Sequence, residues 1–296
     1  MKKLIYITIS IFIIYCGFIF FFYANEVKYT IYHICELWLF KVLLSIIPFY
    51  FLSNILVSFP FISKISYKIL DKILHFESEK SCSLLLLATI TGNPTSSFMV
   101  INAVKHQEIS EKEGNRLLKC TVISSPLFIF SMLEDIGVIV YIIQIIVSFV
   151  LYYKKRVSKT YRKNLISNNS IFEILDNAPY VMLSILSSMI FIGLINICLD
   201  KMFDLTGINN NYIIKYFLDL SELTTGLDNI TKYNINRNII YLLSTFLLSF
   251  GGFAIIIQLL NEVKKTSLSK TSLITYRILH GIISCLILIL ILIFFI

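Results

Sequence analysis

The chain has 296 residues, of which 57% are hydrophobic and 15% charged. This excess of apolar residues is more than a single water-soluble core can bury, so the composition excludes a soluble enzyme of this length. The net charge of +8 comes from 26 Lys and Arg against 18 Asp and Glu, and six of the basic residues lie in one acid-free stretch at 154–163. Such a stretch is typical of a cytoplasmic loop in a membrane protein, not of a nucleic-acid interface.

Long uncharged runs provide the candidate membrane segments. A helix needs about 20 apolar residues to cross about 30 Å of hydrocarbon. Six uncharged runs of 18 to 24 residues occur, at 4–23, 42–59, 82–104, 178–199, 238–261 and 278–296. A longer run at 120–153 is interrupted only by Glu134 and Asp135, which predicts a loop between two shorter elements. We therefore predict an all-α polytopic membrane protein with about eight transmembrane or re-entrant segments.

The same pattern divides the chain into four parts. Residues 1–30 are predicted to be an uncleaved N-terminal anchor helix whose N-terminus is cytoplasmic, and residues 154–170 a basic cytoplasmic loop. Between and after them, residues 31–153 and 171–296 form two halves that look like a repeat, the second ending in a final transmembrane helix. Within the first half, residues 63–81 have the spacing of an amphipathic helix, lying either at the membrane interface or in solvent. Ser110 and Glu113 form a capping-box pattern that predicts the start of a short charged helix.

Four segments at membrane depth are interrupted by small polar residues, Gly or Pro. The interruptions lie at residues 92–94, 124–126, 222–226 and 249–252. Non-helical backbone at membrane depth persists only where protein buries it or where it lines a wet cavity. The N-termini of half-helices also present free N–H groups and a positive dipole end that suit an anion. For residues 251–252, close helix packing is the alternative reading.

We predict that these interruptions line one solute site near the bilayer midplane, between two repeats of opposite orientation. The candidate substrate-binding residues are Gly92, Asn93, Thr95, Ser96, Ser124, Ser125, Glu222, Thr225, Ser249, Gly251 and Gln258. Arg277 and His280 are interpreted as the start of the last helix, with side chains that reach the interface. No catalytic triad, phosphate-binding loop or metal-ligand spacing occurs in the sequence, so we predict no enzyme, cofactor or metal site.

An ordered series of motifs resembles one family. The series consists of Thr91, Gly92, Asn93, Pro94, Thr95 and Ser96, then Ile109, Ser110, Glu113, Arg116, Leu117 and Leu118, then Ser124, Ser125, Pro126, Leu127, Phe128 and Ile129, and in the second half Leu220, Glu222, Thr224, Gly226, Ser249, Phe250, Gly251, Gly252, Gln258, Arg277, Ile278, Leu279 and His280. It resembles the YlbJ-like sporulation integral membrane proteins of the nucleoside-recognition (Gate) domain family, from about residue 37 to residue 296. The resemblance implies two inverted Gate-type repeats, and movement of a small anion, dipicolinate, across a forespore membrane.

The leading hypothesis is therefore a permease-like transporter of the cell membrane for a small polar or anionic solute. Its expected partners are the lipid bilayer and a small-molecule solute; a coupling ion is left open, and no nucleic acid is expected. Two alternatives stay open, a non-transporting membrane scaffold needed for spore or envelope assembly and a nucleoside transporter-like protein.

Overall fold

The computed structural model describes residues 2–57, 60–153, 171–205, 207 and 212–295. These residues form helices joined by short turns, without a strand among them, so the all-α prediction is confirmed. Five helical segments are long and apolar enough to cross a membrane: Ile5–Phe22, Ala24–Leu56, Ile174–Leu205, Arg237–Val263 and Lys270–Phe294. The predicted basic loop at 154–170 lies outside the described residues.

The first two long helices form one side of the molecule. Helix α1 spans Lys2–Phe22, and α2 (Ala24–Leu37) continues through a π-helical segment, Trp38–Leu43, into α3 (Leu44–Val57). The run predicted at 42–59 is therefore only the second half of a longer helix, and the boundary predicted after residue 30 falls inside α2. Two charged residues of this longer helix have partners that are distant in sequence. Glu26 pairs with Lys201 at 2.7 Å, and the Lys41 ammonium donates a hydrogen bond to the Ser131 carbonyl at 2.7 Å.

Helix α4 (Pro60–Leu74) lies on the surface and is amphipathic, as predicted, although it ends before residue 81. Phe61, Ile65, Ile69 and Ile73 are exposed along one face. The opposite face, which includes Leu74, packs against the rest of the fold. An exposed apolar stripe on a helix that follows a candidate span is typical of an interfacial helix.

Two pairs of short helices are hairpins. In the first, α5 (Glu79–Thr91) is followed by α6 (Thr95–Lys105), and the Lys80 ammonium at the start of α5 lies 3.0 Å from the Glu108 carboxylate beyond the end of α6. In the second, α11 (Tyr212–Asp219) is followed by α12 (Leu223–Thr231), and the rings of Tyr212 and Tyr233 lie 5.3 Å apart. Contacts between the first turn of one helix and the end of the next require the chain to reverse at residues 92–94 and 220–222.

Each hairpin is followed by an interrupted helix and then a single helix. The first set is α7 (Glu111–Leu118), α8 (Pro126–Leu133) and α9 (Gly137–Tyr152), with the predicted loop at Glu134 and Asp135 confirmed between α8 and α9. The second set is α13 (Arg237–Phe250), α14 (Gly252–Val263) and α15 (Lys270–Phe295), and α10 (Ile171–Leu205) precedes the second hairpin. Helix α15 of the second set packs against α9 and α7 of the first set, and α14 packs against α6 of the first hairpin, so the two halves are in direct contact.

The capping residue predicted for α7 is confirmed. The Ser110 hydroxyl accepts the N–H of Glu113 at 3.2 Å. Ser110→Ala removes an N-cap acceptor and is expected to cost about 1 kcal/mol of stability, measured by SDS titration of the purified protein in mixed micelles. The matched control is Ser187→Ala, because the Ser187 hydroxyl is exposed and bonds only back to Leu183 within its own helix. An equal effect of both substitutions would contradict a capping role.

Candidate functional site

The tips of the two hairpins and the breaks of the two interrupted helices meet in the interior. The Asn93 N–H, in the first tip, donates to the Ile123 carbonyl before α8 at 2.8 Å. In the second half the break donates and the tip accepts. The N–H groups of Phe253 and Ala254, after the break, donate to the carbonyls of Leu220 and Ser221 in the tip at 3.0 and 2.8 Å. Each tip is thus hydrogen-bonded to one break.

Two glycines allow these close approaches. Gly92 has φ +74°, and a Cβ atom there would lie 2.3 Å from the Ser125 backbone nitrogen. Gly251 has φ +89°, and its Cβ would lie 2.5 Å from Arg277 Nη1 and 3.0 Å from Asn93 Nδ2. Both positions therefore need a left-handed backbone and the absence of a side chain. Gly92 brings the first hairpin tip against the first break, whereas Gly251 brings the second break against the first hairpin tip and so serves the junction of the two halves.

Arg277 is the centre of this junction. Its side chain is 1% exposed, and its Nη2 group donates to Asn93 Oδ1 at 3.0 Å and to the Ser97 hydroxyl at 3.3 Å. Nη1 donates to the Phe250 carbonyl at 3.3 Å, while Nε has no partner within the described residues. None of these partners carries a negative charge. A buried guanidinium without a counter-charge is energetically costly, which makes it a candidate for pairing with an anion.

The interpretation that Arg277 and His280 reach the interface is wrong. Helix α15 begins at Lys270, so both residues lie two turns or more inside it, and His280 is completely buried. Its Nε2 atom lies 3.0 Å from the Ser148 hydroxyl of α9. Neutral polar groups of α9, of the first hairpin and of the second break contact these side chains inside the fold, and sequence position could not reveal those partners.

Gln144 is a structural residue of the junction that the sequence analysis missed. Its Oε1 atom accepts the Ser124 N–H at 3.0 Å, and its Nε2 group donates to the Ser249 hydroxyl at 3.3 Å. It therefore ties the break before α8 to the last turn of α13. The available signal was a single amide side chain in the middle of an apolar run, and the structure shows it to be fully buried.

A small cavity lies where the tips converge. Its volume is about 40 Å³, enough for two or three water molecules. Of the predicted site residues, Asn93, Ser125, Glu222 and Gln258 line it, together with apolar side chains of α3, α8, α10 and α14. Asn93 Nδ2 and the Ser125 hydroxyl are buried and lack a hydrogen-bond partner in the part of the chain that the structure describes.

The other predicted residues surround this cavity without lining it. Thr95 is buried and its hydroxyl has no partner among the described residues. The Ser96 hydroxyl donates to the Thr121 carbonyl and that of Ser124 to the Leu248 carbonyl, each at 3.4 Å, while Ser249 accepts from Gln144. Thr225 lies on the far side of the second tip, in the wall of a different pocket.

Glu222 caps the second hairpin helix. Its Oε2 atom accepts the N–H groups of Thr224 and Thr225 at 2.9 and 2.7 Å, and the Thr225 hydroxyl at 3.0 Å. A carboxylate at a helix N-terminus is stabilised both by the free N–H groups and by the positive dipole end. The negative charge of Glu222 is therefore already compensated by α12.

Gln258 joins the site to α10, because its amide donates to the Ser188 hydroxyl, which also lines the cavity. No group of three His, Cys, Asp or Glu side chains in the described ranges has the arrangement of a metal site.

Comparison with known proteins adds no relative. No protein-family model matches the chain, and no curated protein or solved structure is significantly similar to it. The resemblance to the YlbJ-like Gate family therefore stays a prediction from the motifs.

Proposed function

We propose that this chain is an integral membrane permease for a small anionic solute, which binds near the bilayer midplane between two repeats of inverted topology. The observation that carries the proposal is the buried Arg277, whose hydrogen-bond partners among the described residues are all neutral. It lies directly behind a cavity that contains two unpartnered polar groups.

The chemistry of these groups suits a carboxylate or phosphate oxygen. Arg277 donates to the carbonyl oxygen of the Asn93 amide, which leaves the NH₂ group of that amide as a polarised donor. The Ser125 hydroxyl is a second available donor. Two donors backed by a guanidinium would stabilise an anion by charge-assisted hydrogen bonds. Glu222 opposes the anion less than a free carboxylate would, because three donors of α12 hold it.

The element order supports the two-repeat architecture. Each half contains a hairpin, an interrupted helix and a single helix, in that order. Hairpins that enter and leave the membrane on the same side would replace full crossings. This fits the helices of the two hairpins, α5–α6 and α11–α12, which are each too short to span the membrane. A cavity of about 40 Å³ is too small for a solute such as dipicolinate, so transport requires the tips to separate before the solute can enter.

The proposal is tested by solute flux into vesicles that contain the purified protein. We expect uptake of the dianion dipicolinate, which the family resemblance suggests as the first solute, and no uptake of uridine. Asn93→Ala removes one donor to a charged ligand and is expected to lower dipicolinate uptake about 10-fold or more. Asn102→Ala, at an exposed position of α6, the helix that follows the tip, is the matched control and should leave uptake unchanged.

Three outcomes would contradict the proposal. Uridine uptake without dipicolinate uptake would favour a nucleoside transporter-like protein. Absence of uptake of any tested anion by folded protein would favour the scaffold. Equal uptake by Asn93→Ala and the control would remove Asn93 from the site.

A further inference from the structure

A second and larger pocket lies on the other side of the second hairpin tip. Its volume is about 490 Å³, which is the size of a small-molecule site. Helices α2, α10, α11 and α12 form its walls, and Thr30, Asn196, Lys215 and Thr225 are among the lining residues. None of the functions proposed above uses this pocket.

Only the hairpin tip separates this pocket from the inner cavity. Thr225 lines the larger pocket and donates through its N–H and hydroxyl to Glu222, which lines the inner cavity. Asn196 also lines the larger pocket, and its amide donates to the Ser221 hydroxyl at 2.7 Å. The Ser221 carbonyl in turn accepts the N–H of Ala254, a residue of the inner cavity. The second hairpin tip thus contributes residues to the walls of both pockets.

The larger pocket is lined by the cations Lys215 and Lys232 and by the carboxylates of Asp200 and Asp219, and within it an anion would bind at Lys215. The Lys215 ammonium is half-buried in the wall and has no hydrogen bond or ion pair with any described residue. The nearby Asp219 carboxylate is held by Asn229 at 2.7 Å and Tyr233 at 2.5 Å. Lys232 is paired with Asp228 at 2.6 Å, so Lys215 is the lining cation that has no ion pair among the described residues.

The position of the pocket also indicates the side to which it opens. It lies near the C-terminal end of α10, at Asn196 and Asp200. The basic stretch at 154–163 precedes the N-terminal end of the same helix in sequence. Because basic loops face the cytoplasm, the two ends of α10 place the pocket on the non-cytoplasmic side.

We propose that the larger pocket is a second binding site for the transported small anion, an access vestibule in which Lys215 receives the solute before the second hairpin tip admits it to the inner cavity. This inference rests on the proposed permease function. The vestibule adds three features to the proposed permease: a second binding site, a residue that recruits the solute, and a partition at Glu222 and Thr225.

The test places a cysteine in the vestibule and modifies it with an anionic methanethiosulfonate reagent. Thr30→Cys faces the pocket from α2, whereas Tyr32→Cys, two residues on, lies on the opposite face of the same helix and replaces a side chain that is 68% exposed. Both variants and the wild type are labelled in detergent, checked by mass spectrometry and reconstituted for dipicolinate flux. We expect labelling to lower flux at least 5-fold in Thr30→Cys only, and saturating dipicolinate to slow labelling at that position.

A second variant isolates the recruiting charge. Lys215→Gln is expected to raise the KM for dipicolinate about 5-fold with an unchanged maximal rate, while Lys264→Gln, at an exposed position, leaves both unchanged. Full flux by labelled Thr30→Cys, or no labelling of that cysteine, would overturn the vestibule while wild-type flux upholds the permease. Absence of flux by the wild type would instead overturn the permease, and with it the vestibule.

Discussion

Alanine at position 92 is expected to destabilise the folded chain by about 3–5 kcal/mol, because two costs add. The backbone of Gly92 has φ +74°, which L residues adopt only with strain. The added Cβ would also lie 2.3 Å from the Ser125 nitrogen, a backbone atom that cannot rotate away. The first hairpin tip would have to leave the break before α8, which is the contact that orders the site. SDS titration of purified Gly92→Ala in mixed micelles measures the loss.

A matched glycine separates the two costs. Gly207 has φ +70°, and a Cβ there would meet no described atom within 4 Å. Gly207→Ala therefore carries the backbone strain alone and is expected to cost about 1 kcal/mol. If the two variants lost the same stability, the close approach of the hairpin tip to Ser125 would be refuted.

Methionine at position 277 is expected to abolish solute flux while the protein remains folded. Removal of the guanidinium takes away the positive charge behind Asn93, and we expect dipicolinate uptake to fall more than 100-fold. The relief of a buried charge that has only neutral described partners should offset the loss of its hydrogen bonds to Asn93, Ser97 and the Phe250 carbonyl, so the net change in stability should be small. Uptake and SDS titration are measured on the same preparation.

Arg237→Met is the control for this substitution. Arg237 is exposed at the start of α13 and pairs with the exposed Asp135, so its loss should change uptake less than 2-fold. If Arg277→Met unfolded the protein while Arg277→Lys restored both fold and uptake in full, Arg277 would be a structural cation with no specific role for its planar fork. If Arg277→Met kept full uptake, the anion site would be wrong.

The two substitutions distinguish a permease from a scaffold. In a scaffold, Gly92→Ala would disturb assembly, whereas Arg277→Met would have no consequence because the fold is retained. In a permease both variants lose uptake, and only the first loses stability. The combination therefore assigns the interior polar groups to transport or to packing.

Local features of the sequence predicted much of the fold. The apolar runs indicated long helices, and the breaks at residues 92–94 and 251 were predicted because Gly and Pro disfavour the helical backbone. The Ser110 cap and the loop at Glu134 and Asp135 were likewise predicted from their immediate neighbours. Four candidate residues, Asn93, Ser125, Glu222 and Gln258, do share one cavity.

Partners that are distant in sequence decided the rest. The Lys80–Glu108 contact shows that the chain reverses direction at residues 92–94. The sequence could not predict this reversal, because a helix-breaking residue is equally compatible with a kink in a helix that crosses the membrane. The charged helix α2 continues into α3, and its Glu26 pairs with Lys201 on α10, a partner that is distant in sequence. Arg277 can be buried because Asn93, Ser97 and the Phe250 carbonyl accept its hydrogen bonds. The sequence by itself determined where helices form and where they stop, because those preferences are local. Only the tertiary structure decided which polar groups meet, because burial of a charge depends on partners that other helices supply.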